Sequence, residues 1–486
     1  MDRTIQKALY IILIALGLAF VFNFLFFQKP IGISVFIFFT ALLVALFLFG
    51  RREQLAFKNS WWLMLLVAFF SFMPGVRANE FLTFLNFCAT LGLLLLLAHQ
   101  LVGTPVFVLK IWNYITLAVF TPLLMVARAF STLGLIGQIH STVKRRDVWV
   151  RVIKGIILAL PILILFAALF SQADLAFSKF LSGIIQIHIS LRTVQYLIML
   201  AFGFGCALSF LSYIFFPKAP KLESLAEQPS PAPKAAKGIE VMVFLGLICA
   251  LFLIFIIFQI TYLFGGQTNI VNAGFTYAEY ARRGFWELLV VALLSLLVLL
   301  AAEKYAGAET KKDRNFLIPA LILIAEVIVV MVSAFKRLSL YIDAYSLTDM
   351  RFYVAGFIIL LFVLFILLAI KFIKARPENF FAFGTLLSAI SFLIVINLLN
   401  PDAFIAKSNL AQFGQTGKID VTYVGRLSAD AEAQKIEIYK KLEGVDKDIL
   451  GRWLAADNDN LEKDAIHWQS ASFSRAKALK LLKNVY

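Results

Sequence analysis

Residues 316–335 read FLIPALILIAEVIVVMVSAF, a stretch in which Glu326 is the sole ionisable side chain. A run of about 20 apolar residues crosses a hydrocarbon layer as a helix. A carboxylate near its middle is expensive in lipid and has to face protein. The stretch therefore predicts a transmembrane helix set among others. Working outward, comparable runs occupy 9–27, 31–49, 81–98, 152–170, 194–216, 239–264, 286–302, 352–370 and 380–399. A shorter run, 61–73, opens on Trp61 and Trp62, a pair suited to a membrane interface. Segment 105–126 is interrupted by Pro105, Lys110, Asn113, Thr121 and Pro122, the pattern of an interfacial or re-entrant piece. The expected fold class is all-α: a polytopic transmembrane helical bundle of about 11–12 spans with a small C-terminal extramembrane helical region.

Composition agrees. The 486 residues are 61% hydrophobic and 15% charged, with a mean hydropathy of +0.87, whereas about a quarter of residues are charged in soluble domains. The net charge of +16 arises mainly from Lys and Arg at the ends of apolar runs, where topology signals sit, and argues against nucleic acid as a partner. Cys88, Cys206 and Cys249 each fall inside an apolar run and read as packing residues. The start, Met1 to Lys7 followed by apolar 9–27, has an apolar stretch too long for a signal peptide and no small-residue cleavage site, so it reads as the first span.

The chain divides into an N-terminal membrane half, 1–130, with four or five spans; spans continuing from a basic loop, 131–216; a linker, 217–238; a C-terminal membrane half, 239–399, with five spans; and a polar helical region, 400–486. The linker PKAPKLESLAEQPSPAPKAAKG cannot bury a core and is expected to be extended or disordered. The C-terminal region has a thin core of its own and is expected to pack on the membrane part. Basic residues concentrate in 144–154, 218–237, 304–314 and 371–376, which places those connections, and Arg3 and Lys7, in the cytoplasm. The C-terminal region then lies outside it. Both halves obey the rule together only if 105–126 does not cross, which gives eleven spans.

Three polar groups stand out. In NAGFTYAEYARRGFWE (272–287), Glu279, Arg283 and Glu287 recur at helical spacing, with Arg282 alongside. This is either an anion or proton site or an interface helix held by internal ion pairs. In SAFKRLSLYIDAYSLTDMR (333–351), Arg337, Tyr341 and Tyr345 share a face, Asp343 lies on another, and Arg351 follows. These positive charges run against the charge bias and ask for a lipid headgroup, a bound anion or a carboxylate; a capping box at 346–349 with solvated charges is the plainer reading. In NLLNPDAFIAKSN (397–409), Asn400 suits an N-cap and Pro401 the first position of a surface helix. Glu326 is either a proton or ion-coupling residue or a protonated carboxyl bonded to a neighbour such as Asn23, Gln259 or Asn397. The four His residues, 99, 140, 188 and 467, show no metal-ligand spacing, and no nucleophile signature occurs; no metal and no cofactor is expected.

With those residues in view, the chain resembles a widespread bacterial family of multipass membrane proteins known only as a domain of unknown function. The matching pieces are GIILALPILILFAALFSQAD (155–174), TYAEYARRGFWELL (276–289), SAFKRLSLYIDAYSLTDMRFY (333–353), NPDAFIAKSNL (400–410) and IDVTYVGRLSADA (419–431), with a weaker FSRAKA (473–478). Two departures are Ser346, where glycine is expected, and Phe473, where Asn is expected before the serine. The resemblance implies a bacterial inner-membrane protein without an established activity, whose N-terminal half is the variable part.

Three roles follow as expectations. The first is a non-enzymatic envelope sensor or assembly protein whose polar motif face binds membrane lipids or an envelope protein partner. The second is an ion-coupled transporter or permease with Glu326 as its intramembrane site. The third is a membrane enzyme acting on lipid-linked substrates, with Glu279, Glu287 or Asp343 as acid or base and the arginines holding a phosphate. The sequence leaves the oligomeric state open.

Overall fold

A computed structural model describes residues 3–136, 191–216, 238–263, 285–310 and 314–484, with isolated positions between 163 and 180. These form sixteen α-helices and short 3-10 turns, with no strand among the described residues. The membrane helices are α1 (Arg3–Phe26), α2 (Ser34–Arg52), α3 (Trp61–Phe72), α4 (Glu80–Val102), α5 (Ile111–Ile136), α6 (Leu191–Phe215), α7 (Gly238–Leu263), α8 (Phe285–Thr310), α9 (Arg314–Tyr345), α10 (Asp349–Ile373) and α11 (Glu378–Leu399). The extramembrane helices are α12 (Pro401–Thr416), α13 (Val421–Arg426), α14 (Glu432–Lys441), α15 (Gly444–Asp464) and α16 (Phe473–Leu482). Among the described residues ten helices are long and apolar enough to cross a membrane, all of α1 to α11 except α3, which is shorter. The span expected at 152–170 and the linker 217–237 lie outside the described residues.

Two faces of the bundle can be told apart by contacts. Lys7, early in α1, pairs with Glu53 at 3.0 Å and lies 5.6 Å from the rings of Phe215 and Phe216 at the end of α6. At the other end of α1, Phe27 meets Tyr196 at 5.4 Å. The two helices are therefore antiparallel. The near face holds the N-terminus and the ends of α2, α4, α6, α8 and α10; the far face holds the loops at 27–33, 76–79 and 346–348 and all of α12–α16.

α5 is the exception among the long helices. Beside its first turn, Lys110 pairs with Glu378 at 3.9 Å, and Lys304 sits 5.9 Å over the Trp112 ring. Further along, Arg128 donates to the carbonyls of Tyr213 and Phe216 at 2.9 and 3.0 Å. All of these partners are on the near face, so α5 does not carry the chain across between 110 and 128. The interrupted sequence at 105–126 explains why: Lys110 and Asn113 prefer the wet boundary, and Pro122 breaks the helical hydrogen-bond ladder within the helix.

Apolar side chains collect in two membrane cores. One joins α1–α6, the other α7–α10. α11 follows the second core in sequence, yet its Ile390 packs in the first while Phe381 packs in the second. The extramembrane helices form a cap with its own small core, including Val424, Ile438, Leu450, Leu454 and Leu482. Gly425 is required there, because a Cβ would stand 2.5 Å from the Trp453 ring. The cap docks on the far face.

Candidate functional site

Docking is concentrated in a buried polar joint built around Asp430 and Asp402. Ser428 caps the 3-10 turn Ala429–Ala431 by accepting from Asp430 N–H, which orients the Asp430 carboxylate toward the 76–79 loop. That carboxylate accepts from the backbone N–H groups of Ala78 and Asn79 at 2.7 and 3.0 Å and from the hydroxyl of Ser474. Asp402, in the first turn of α12, accepts from Asn79 Nδ2 at 2.7 Å and from Ser428 N–H at 3.0 Å. Asn79 itself is the N-cap of α4, taking the N–H of Leu82 at 2.8 Å. One asparagine thus starts a membrane helix and holds the cap.

Other contacts extend the joint. The Asn409 amide exchanges two hydrogen bonds with the backbone of Leu347, at 2.9 and 3.0 Å. The Tyr423 hydroxyl accepts from Asp349 N–H at 2.7 Å. Burial, then the nearby Asp349 and Asp402 carboxylates, push the Tyr423 phenol well above its ordinary range, so it stays a neutral hydroxyl. Ile33 N–H donates to Ala471 O at 3.0 Å and Ser474 N–H to Val76 O at 3.2 Å, so cap backbone pairs with both far-face loops of the first half. Gly32 lies against Ser470, where a Cβ would come within 2.4 Å of backbone.

Below the joint, the two membrane halves meet along α4 and α11. Asn86 and Asn397, both buried, exchange side-chain hydrogen bonds at 2.9 and 2.8 Å. Arg77 donates twice to Asn397 O, at 2.9 and 2.6 Å. The carbonyls at the end of α11 are thereby satisfied by a cation, as the helix dipole favours.

The residues singled out in sequence fall into three sets. Glu279, Arg282 and Arg283 lie outside the described residues. Tyr341, Tyr345 and Arg351 come together: the tyrosine rings are 5.2 Å apart, the Arg351 guanidinium sits 4.0 Å over Tyr341, and it donates to Tyr345 O at 2.8 Å and to Ser346 O. Arg337 lies on the turn of α9 preceding Tyr341, and Asp343 accepts through its backbone oxygen from Gln412 at 2.7 Å. Glu287 lies in the first turn of α8. At the turn joining α9 to α10, Thr348 occupies the N-cap without a side-chain bond, so the expected capping box is not formed. Ser346 adopts φ 67°, a left-handed conformation that favours glycine, which explains the residue expected there. Asn400 occupies the N-cap of α12 but makes no side-chain capping bond, because its own φ is 55°.

Glu326 is 8% exposed, and one of its carboxyl oxygens is buried without a partner. Its neighbour is the Cys249 thiol, not any of the amides considered from sequence: Gln259 accepts from Ser333, Asn397 pairs with Asn86, and Asn23 is in the first core. The second core also holds a buried ion pair that the sequence reading missed, Lys371 with Glu303 at 2.5 Å, their side chains 2% and 10% exposed. Both lie near helix ends, where charges are ordinarily solvated, so spacing gave no reason to pair them. Asp402, Asp430 and Asn79 were missed likewise; Asn79 before Glu80 and an apolar run is a legible N-cap, but its distant partners are not.

Among the described residues no cluster of three or more His, Cys, Asp or Glu is placed to hold a metal. The lone pairs of Asp402 and Asp430 already accept from the protein's own N–H and O–H groups, so the joint fastens two parts of one chain. Fold and site together define a polytopic helical membrane protein with an extramembrane cap locked to one face. The chain belongs to the family described as domain of unknown function DUF4153, which matches residues 60–438. That match reaches further toward the N-terminus than the motif resemblance did and takes in α3 to α13 and most of α14, including every residue of the joint except those in 32–33 and 470–474. No curated protein and no solved structure matches the chain.

Proposed function

We propose that this is a non-enzymatic envelope protein of the bacterial inner membrane that holds the cap rigidly on the extracytoplasmic side as a binding platform for an envelope partner. The near face, with the N-terminus and the linker 217–238, is cytoplasmic in this reading, in keeping with the basic residues there. The single observation that carries it is the use of Asp402, Asp430, Asn409 and Tyr423 as fasteners between cap and membrane helices. In this reading these residues serve to fix the cap in place. The cap also offers solvent-facing apolar side chains away from its core, Val445 at 73% and Ile466 at 75% exposed, as a partner surface requires.

Photo-crosslinking from position 445 in intact cells tests this. A discrete adduct that disappears in Asp430→Ala, while the protein remains in the membrane, is expected. Adducts absent in wild type, or unchanged when the cap is released, would refute the reading. Cysteines at 459 and 227, reacted with a membrane-impermeant maleimide, test the orientation; labelling at 459 alone is expected.

An ion-coupled transport role is the second reading, favoured by the buried, half-partnered Glu326 carboxyl. Proton or cation flux in proteoliposomes that vanishes in Glu326→Gln is its expected result; no flux in wild type removes it.

A further inference from the structure

On the opposite side of the molecule from the cap, a groove of about 570 Å³ runs between α7 and α9. Its walls are apolar, including Leu247, Ile318 and Ile322, and its polar side chains are concentrated at the near-face end, where Arg314 and Asn315 open α9. Gly246 leaves its part of the wall open: a Cβ there would meet no atom within 4 Å. Its size falls in the range of pockets that hold small ligands, about 300–1,000 Å³. Leu247 is 69% exposed, and Ile318 and Ile322 are 54% and 46% exposed, so both walls face the space that membrane occupies around a spanning bundle.

Charge decides what suits this groove. No carboxylate among the described residues pairs with the exposed Arg314. It stands beside the first-turn N–H groups of a long helix, which carry partial positive charge. Deeper in, Cys249 lines the groove, and its thiol meets both the Pro319 carbonyl, at 3.4 Å, and the Glu326 carboxyl. From Arg314 to Glu326 is about 18 Å of helix rise, the depth of one acyl chain from interface toward midplane. A positive mouth at the membrane boundary with an apolar channel below it complements an anionic amphiphile.

We propose that the α7–α9 groove binds one anionic phospholipid of the near-face leaflet, its phosphate on Arg314 and one acyl chain lying over Gly246 between Leu247 and Ile322. The site is independent of the cap's role. Bound there, the chain covers the approach to Cys249 and keeps water from the Glu326 carboxyl.

The test uses the full-length protein in nanodiscs of phosphatidylcholine containing a trace of either phosphatidylglycerol or phosphatidylcholine that carries a photoreactive acyl chain. Adducts are mapped by peptide mass spectrometry. Phosphatidylglycerol is expected to label residues 242–249 and 318–322 about fivefold more than phosphatidylcholine. Arg314→Gln should remove that preference. Gly246→Leu, which puts a side chain into the open space beside position 246, should abolish labelling of these segments by both lipids while labelling elsewhere and thermal unfolding stay as in wild type. Equal labelling by the two lipids in wild type, or a preference that survives Arg314→Gln, means ordinary surrounding lipid and overturns the proposal. Undiminished phosphatidylglycerol labelling in a folded Gly246→Leu protein overturns it equally.

Discussion

The seam between the two membrane halves and the interior of the second half handle buried polarity in different ways. At the seam, Asn86 and Asn397 are neutral amides that satisfy one another, and Arg77 donates to backbone carbonyls at the far-face boundary. Inside the second half, Glu303 faces Lys371 and Glu326 faces Cys249, ionisable groups held away from water. Amide pairs fix the register of two helices without desolvating a charge. Ion pairs must be buried together, and losing one partner strands the other. The seam is therefore built to align, whereas the second core depends on pairs that cannot be edited one residue at a time.

The largest effect expected from this contrast is at Lys371. Lys371→Met should lower stability by about 3–5 kcal/mol by removing the buried cation that Glu303 faces, read as thermal unfolding in detergent. Combining it with Glu303→Gln should recover most of the loss. A double variant as unstable as the single one breaks the comparison, since the charge would not be the source of the cost.

A second buried cluster, outside the membrane, sharpens it. In the cap, Lys435 is fully buried and pairs with Asp457 at 2.8 Å and Glu432 at 3.4 Å. Burial pushes Glu432 from its ordinary 4.5 up to about 7; Lys435 opposes this and Asp457 adds to it. A carboxyl raised on folding binds its proton more tightly in the folded state, so its contribution is full below about pH 4.5 and is lost as pH rises through about 7. Cap stability, followed by protease resistance, should fall by up to about 3 kcal/mol across that window. Glu432→Gln should flatten the profile; a profile that stays as steep assigns the titration elsewhere.

At the seam, Asn397→Leu should cost about 1–2 kcal/mol, because Asn86 keeps an unsatisfied amide in the membrane. Asn86→Leu in the same chain should return part of it, and no recovery would mean that shape rather than hydrogen bonding sets the register. The smallest effect is a gain: Ser346→Gly relieves a left-handed serine and should raise stability by up to about 1 kcal/mol in the same unfolding assay.

Much of the bundle is legible in sequence because lipid imposes one rule, a long apolar run, and the runs at 9–27, 239–264 and 380–399 became α1, α7 and α11. Segment 105–126 is legible for the opposite reason: its Lys, Asn and Pro interrupt the pattern. The candidate site is less so. Asp402 and Asp430 acquire meaning only beside Asn79, more than three hundred residues away in the chain, and no local period encodes that meeting. Tyr341 and Tyr345 were legible as neighbours by their four-residue spacing, but Arg351, on the next helix, and the carbonyls of Tyr345 and Ser346 that it takes could not be foreseen without the reversal at Ser346.

The pairing of the 31–33 loop with Ala471, and of Val76 with Ser474, bears on the order in which the protein assembles. The earliest loops on the far face wait for nearly the last residues before their backbone groups find partners, a closure across almost the whole chain. During synthesis the first spans are therefore inserted yet unfinished, and these loops are locked only once the 470–474 segment has folded back onto them.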